Sequence, residues 1–237
     1  MATKHHFIQD IQTDDGWVSD SNSHHIRTVL RLTPGDHILF SNGEGTQWET
    51  QITSLDPLRV EIISELQKTV TLPHITLILS AIKPKNIELV LEKVTEIGID
   101  RIILTKTDYS QIPLNTLTKK STRFKEIIVA AMKQSERATL PELLIIPASE
   151  ITQYTSELNL VGTTQYTDSP TKLPHILSQS PQPESITLFI GPEGGFSRKE
   201  YDIMQEIFTP VTFGTYVLRA ETAAIVGSGI LVQEKLQ

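Results

Sequence analysis

Ile186-Thr187-Leu188-Phe189-Ile190-Gly191-Pro192-Glu193-Gly194-Gly195-Phe196-Ser197 is an apolar run that breaks into a glycine-rich loop. The run 186–191 reads as a buried strand. Ser197 with Glu200 three residues on has the spacing of a capping box, so a helix opens there. In open α/β sheets, ligands bind beyond the carboxyl ends of the strands, where glycines let backbone amides come close. The loop has no Gly-Lys-Ser/Thr ending and no Gly-x-Gly-x-x-Gly pattern, so neither nucleotide fingerprint is met. Pro192 lacks an amide, and Glu193 puts a carboxylate where a phosphate would go. Such a loop suits a cationic or neutral ligand better than a triphosphate. The competing reading is a tight strand-to-helix turn without a ligand.

A second segment has the same plan. Strand 210–214 ends at Gly214, and Thr215-Tyr216-Val217-Leu218-Arg219-Ala220-Glu221-Thr222-Ala223 leads into a helix over 221–233. Two such loops at one sheet edge can wall a single pocket. Arg219 would stand at its mouth, able to hold a phosphate or an oxyanion.

Working outward, residues 75–237 alternate strands with helices. Strands are expected at 75–82, 101–105, 142–146 and 158–162. Pro84 opens a helix that Gly98 closes, and a long amphipathic helix is expected over 116–137. This pattern predicts an α/β fold with a mostly parallel sheet covered on both faces. The segment 165–184, rich in Pro, Ser, Gln and Thr, reads as a loop or a partly ordered excursion. The first 70 or so residues differ: short alternating runs are separated by Thr33-Pro34-Gly35-Asp36, Ser41-Asn42-Gly43 and Asp56-Pro57. They predict a small, mostly antiparallel β barrel or sandwich, with one helix near 23–31 capped by Ser23.

Composition narrows the class. The chain has 237 residues, no cysteine and a formal net charge of −7. Without cysteine there is no disulfide or thiolate metal site, which fits a reducing cytoplasm. The N-terminus lacks the apolar stretch of a signal peptide, and no run nears the roughly 20 apolar residues of a membrane span. Residues 1–74 carry five Lys/Arg against ten Asp/Glu. Residues 119–137 carry Lys119, Lys120, Arg123, Lys125, Lys133 and Arg137 against two glutamates. This segment is the natural start for a polyanion contact, or else a solvated helix face.

The pair Gly191-Pro192-Glu193-Gly194-Gly195-Phe196-Ser197 and Val217-Leu218-Arg219-Ala220-Glu221-Thr222-Ala223 closely resembles the C-terminal motifs of the bacterial 16S ribosomal RNA (uracil-N3)-methyltransferases. These are S-adenosylmethionine-dependent enzymes of the knotted SPOUT superfamily. The resemblance extends through His5-His6-Phe7, the run 24–36, Ser41-Asn42-Gly43-Glu44-Gly45, Glu92-Lys93-Val94-Thr95-Glu96-Ile97-Gly98-Ile99 and the run Lys133–Pro141.

The resemblance implies a PUA-like β-barrel RNA-binding domain over 1–72 and a SPOUT domain with a trefoil knot over 73–237. It implies a homodimer with its active site near the subunit boundary, and S-adenosylmethionine as cofactor. The pocket would have Gly191, Glu193, Gly194 and Gly195 in one wall, Gly214, Val217, Leu218 and Arg219 in another, Gly162-Thr163 in a third, and Ala223 beside them. The expected substrate is N3 of a uracil in 16S ribosomal RNA, by resemblance the one at position 1498, on the assembled small subunit. Other outcomes would be 2′-O-ribose methylation on the same fold, or a non-catalytic RNA-binding assembly factor.

The sequence departs from the family in two places. Tyr216 stands where the family usually has arginine, and Lys106-Thr107-Asp108-Tyr109-Ser110-Gln111 replaces a Ser/Thr-x-Arg-Ser run. Both changes remove positive charge from the expected RNA path.

Uracil N3 carries a proton and pairs in a duplex, so the base must be extruded and N3 deprotonated or its anion stabilised. Arg219 suits that stabilisation; its competing role is an ion pair with Glu221. Glu193 or Glu221 could accept the proton, or cap a helix amide instead. Arg27, Arg31, Arg123, Lys133, Gln134 and Arg137 are the RNA-binding candidates. Arg27 and Arg31 are placed one helical turn apart. Adjacent histidines (5–6 and 24–25) on a strand would face opposite ways, so no metal site is expected. Gly227-Ser228-Gly229 reads as a close-packing face for another helix, and both tryptophans as barrel packing.

Overall fold

The computed structural model describes residues 5–11, 16–67, 73–163, 171–179 and 182–235. Two compact units result, residues 1–70 with 132–140 and residues 71–131 with 141–237. A division between residues 72 and 73 falls at the edge of 68–72, which lie outside the described residues.

In the first unit, strands β1 (His5–Ile8), β2 (His37–Ser41), β3 (Thr46–Leu55) and β4 (Leu58–Gln67) form one sheet in that order. β1 is parallel to β2, and the other pairs are antiparallel. Phe7, Ile26, Ile38, Phe40, Trp48 and Ile52 form its core. The helix expected at 23–31 begins earlier. α1 (Asp20–His24) starts after Ser19, whose carbonyl accepts from the Ser23 amide at 2.7 Å, and it continues as a π-helical turn over His25–Val29. Ser23 is therefore buried inside the helix rather than capping it. Arg31 lies beyond that turn with φ 54°, so it does not share a helical face with Arg27. Trp48 is core, but Trp17 is exposed and bridges Arg59. Residues 132–140 are stitched to the turn after β2: the Leu140 amide donates to the Gly43 carbonyl at 2.7 Å, and the Gly45 amide to the Ala138 carbonyl at 3.2 Å.

In the second unit, β5 (His74–Ser80), β6 (Arg101–Thr105), β7 (Glu142–Ile145), β8 (Leu158–Gly162), β9 (Thr171–Lys172), β10 (Ser185–Ile190) and β11 (Thr209–Thr212) pair in parallel throughout. Their order is β7-β6-β5-β10-β8-β11-β9. The two-residue period of strands sends alternate side chains to separate cores. Ile75, Leu77 and Leu79 join Leu188 and Ile190 on one face, and Ile78 joins Ile103, Val161 and Phe189 on the other. The first face is covered by α2 (Pro84–Ile97) through Ile87, Val90, Leu91 and Val94, and by α7 (Ala220–Lys235). The second receives Phe196, Met204 of α6 (Arg198–Met204) and Phe208. Later strands interleave with earlier ones, β10 between β5 and β8 and β11 between β8 and β9. That order accords with the knotted arrangement implied by the resemblance.

Two expectations are corrected and one is narrowed. The long helix of 116–137 is two helices, α3 (Leu114–Lys119) and α4 (Ser121–Gln134), broken at Lys120, whose ψ of 2° leaves the helical region. Of the two readings of 165–184, a plain loop gives way to the partly ordered excursion: it contains β9 and α5 (Leu173–Gln179), because Leu173 finds the main core; residues 165–170 and 180–181 lie outside the described residues. Gly227 packs against a strand and a loop rather than a helix. A Cβ there would come within 2.7 Å of Leu188 Cδ2 and 2.8 Å of Phe213 Cε1.

Gly227→Ala should therefore lower stability by about 1–3 kcal/mol, since overpacking outweighs the gain of roughly 1 kcal/mol in helix propensity. At Gly229 a Cβ would have nothing within 4 Å. Gly229→Ala should therefore be neutral or stabilising by up to about 1 kcal/mol. Urea denaturation of both variants checks the pair.

Candidate active site

Strands β8, β10 and β11 lie side by side and end together. Gly162 stands in register with Ile190 on one side and Val211 on the other, and the Thr163 amide donates to the Val211 carbonyl at 3.2 Å. Beyond these ends a cavity of about 400 Å³ opens, within the size range of small-molecule sites. Chain direction requires this location, because a parallel sheet presents all its carboxyl ends on one edge.

The walls are close backbone and apolar side chains. A Cβ on Gly162 would lie 2.7 Å from Ile190 Cδ1 and 2.8 Å from Phe213 Cε2, and one on Gly191 would lie 2.9 Å from Phe196 Cε2. At both positions glycine is required by contact. Gly195 is required by conformation: its φ is 71°, and its amide donates to the Pro192 carbonyl at 2.9 Å, closing the turn. Among the described residues the charged ones lining the cavity are Glu193 and Arg219, both exposed.

A clasp holds the first loop from outside. Ser197 caps α6 by accepting from the Glu200 amide at 3.2 Å, while the Ser197 amide donates to Glu200 Oε2 at 2.9 Å. The Ser197 hydroxyl also donates to Asp108 Oδ2 at 2.6 Å, and Glu200 Oε1 accepts from the Asp108 amide at 2.7 Å. The loop after β6 is thus tied to the exit of the Gly191–Phe196 loop.

Comparison with known proteins identifies this arrangement. Residues 70–232 match the family model of an RNA methyltransferase domain, and residues 18–63 that of an RNA methyltransferase PUA domain. The chain belongs to the RNA methyltransferase family. It is 31% identical to the "Ribosomal RNA small subunit methyltransferase E" of Rickettsia conorii, over 87% of this chain and 84% of that one. A Legionella pneumophila protein, solved in complex with the bound cofactor S-adenosylmethionine, is 26% identical with a TM-score of 0.79, covering 97% of both chains. A probable rRNA-methyltransferase of Porphyromonas gingivalis shares the fold, with a TM-score of 0.83, 24% identity and 98% coverage of both chains.

Of the pocket residues expected from this RNA methyltransferase's sequence, Gly162, Thr163, Gly191, Glu193, Gly195, Val217, Leu218, Arg219 and Ala223 line the cavity. Gly194 and Gly214 are not among its lining: Gly194 backs onto Tyr109, and Gly214 has open space where a Cβ would stand. Sequence reasoning missed Ile190, Pro192, Phe196, Val211, Thr212, Phe213, Tyr216 and Ala220. Their signal was position beside a glycine at a strand end, which apolar patterning alone reads as core. Glu221 does not line the cavity. It sits in the first turn of α7, 9% exposed, and its Oε2 has no hydrogen-bond partner among the described residues. No ion pair joins Arg219 to Glu221 among those residues.

The RNA-binding candidates separate. Arg27 donates to the Leu55 carbonyl at 3.1 Å, Lys133 lies 5.4 Å from the Phe7 ring centre, and Arg137 Nε donates to Thr139 Oγ1 at 3.1 Å, all in the first unit. Burial pushes the Lys133 ammonium below its usual pKa. Gln134 and Arg31 are exposed. Arg123 belongs to the second unit, beside Glu88 and Glu126 at 3.9 and 3.5 Å. Among the described residues no group of three His, Asp or Glu could hold a metal, and no helix is long and apolar enough to cross a membrane.

Ser197→Ala removes both the cap and the bond to Asp108. It should cost about 1–2 kcal/mol, with Ser197→Thr retaining most of the stability. Guanidinium titration of the two variants checks this.

Proposed function

We propose that the protein transfers the methyl group of S-adenosylmethionine to N3 of a uracil in 16S ribosomal RNA, on the assembled small subunit, working as a cytoplasmic homodimer. The observation that carries this reading is the cavity where the ends of β8, β10 and β11 bring the two glycine loops together. The residues present fit the cofactor. A cradle that Cβ atoms at Gly162 and Gly191 would fill admits close backbone contact, the walls are largely apolar, and Glu193 offers a carboxylate toward a sulfonium. Gly194 and Gly214 complete the proposed cofactor loops. Bound there, S-adenosylmethionine supplies an electrophilic methyl group.

The chain's own residues must do the rest. Arg219, exposed at the cavity wall, is assigned to the negative charge that develops on the uracil carbonyls when N3 loses its proton. Two carboxylates compete for that proton. Glu193 lines the cavity and is reached from solvent; Glu221 is buried, with an unpartnered oxygen. Residues 1–72 are proposed as the PUA-like RNA-binding domain and 73–237 as the methyltransferase domain. Arg27, Arg31, Lys133, Gln134 and Arg137 would hold RNA on the first unit and Arg123 on the second. The net charge of −7 favours a structured particle over bare RNA as substrate.

The deciding experiment offers the protein and S-adenosylmethionine to unmethylated small subunits and to protein-free 16S RNA, with nucleoside mass spectrometry as readout. 3-Methyluridine on the subunit is expected. A 2′-O-methyl nucleoside, or no cofactor binding by calorimetry, would reject the proposal. Arg219→Ala should lower kcat about 10²-fold. Of Glu193→Gln and Glu221→Gln, the variant that loses turnover, and with it the acid limb of the pH profile, at unchanged cofactor affinity carried the base.

A further inference from the structure

The mouth of the cavity has an aromatic feature to which the proposed reaction assigns no role. Tyr216 lines the cavity yet is 85% exposed, and Val217 beside it is 80% exposed. Tyr109 lies behind the other loop: a Cβ on Gly194 would come 3.1 Å from Tyr109 Cβ, and the tyrosine is 51% exposed. Single exposed apolar side chains are ordinary. Two tyrosines flanking the two loops of one cavity, each leaving much of its side chain to solvent, are an unfilled contact surface.

The backbone that carries Tyr109 is fixed. The neighbouring Asp108 is bonded through its amide to Glu200 and through its carboxylate to Ser197, and the Thr107 amide donates to Ser110 Oγ at 3.2 Å. The cost of ordering this stretch of backbone on binding has therefore been met in the free protein. Among the described residues Arg219 is the one cation lining the cavity, and Glu193 opposes it.

Resting on the proposed methylation of RNA, we infer that Tyr216 stacks on the extruded uracil at the cavity mouth and Tyr109 on a flanking base. The substrate is thus gripped here by aromatic faces rather than by phosphate-binding cations. A base that must leave its helix to react loses its stacking neighbours, and a tyrosine face replaces them whatever the flanking sequence. A stacking contact of this kind depends little on salt, unlike a contact between a cation and a phosphate.

The test measures the affinity of wild type, Tyr109→Ala, Tyr216→Ala and Tyr216→Phe for small subunits across a salt series, with calorimetry of S-adenosylmethionine alongside. Each alanine variant should weaken RNA affinity about 5- to 100-fold. The slope of log Kd against log salt should stay at the wild-type value, Tyr216→Phe should stay within about 2-fold of wild type, and cofactor affinity should fall less than RNA affinity. Unchanged affinity in both alanine variants would overturn the inference. A shallower salt slope would also overturn it, as would an equal fall in cofactor affinity, or a Tyr216→Phe loss matching that of alanine. A shift in oligomeric mass at unchanged RNA affinity would assign the exposed ring to a second copy and overturn it as well. Because affinity is read directly, wild-type binding without 3-methyluridine would sink the proposed reaction and leave the stacking test standing.

Discussion

The cavity end of the parallel sheet depends on one phenyl ring. Phe213, just past β11, reaches Gly162 at the end of β8 with one edge and Gly227 within α7 with the other. A Cβ on either glycine would force the ring to shift. The ring in turn fixes how closely the last helix approaches the sheet and how near the strand ends stand to one another. Phe196 does the same for Gly191. Cavity width is therefore set by aromatic-on-backbone contact, which is short and stiff because close-packed interiors have little room to relax.

The sequence made most of this fold legible through periodicity and punctuation. Pro84 and Gly98 bound α2 at both ends, with Gly98 at φ 115° and its amide returning to the Val94 carbonyl at 3.1 Å. The capping box at Ser197 and Glu200 formed with both of its bonds. What could not be read was long-range. Nothing local says that the hydroxyl capping α6 also reaches Asp108, 89 residues earlier, or that Phe213 fits between two distant glycines. Ser23 misled because a serine before an apolar run looks like a cap wherever it falls. The elements within 165–184 could not be named because its polar composition hides Leu173, which the core takes up.

Charge gave the weakest guidance. The basic run of residues 119–137 read as the start of a polyanion contact or else as a solvated helix face, and packing divides its members. Lys133 turns to the Phe7 ring and is half-buried, and Arg123 has glutamates beside it. A cation–π contact of about 0.5–1 kcal/mol is small, yet it is enough to orient a side chain that counting had assigned to solvent. For an enzyme with net charge −7, local geometry decides which cations a polyanion can meet.

The chain passes between the two units three times, after residues 70, 131 and 140. Helix α4 starts in one and ends in the other. A fragment cut after residue 72 would leave the Gly43 carbonyl and the Gly45 amide without the partners that Leu140 and Ala138 provide, and would strip the face of Phe7 that Lys133 covers. The amino-terminal unit is thus not a detachable cassette. A graft or truncation that respects its boundaries must carry the 132–140 loop along with it, and evolution faces the same restriction when it shuffles this architecture.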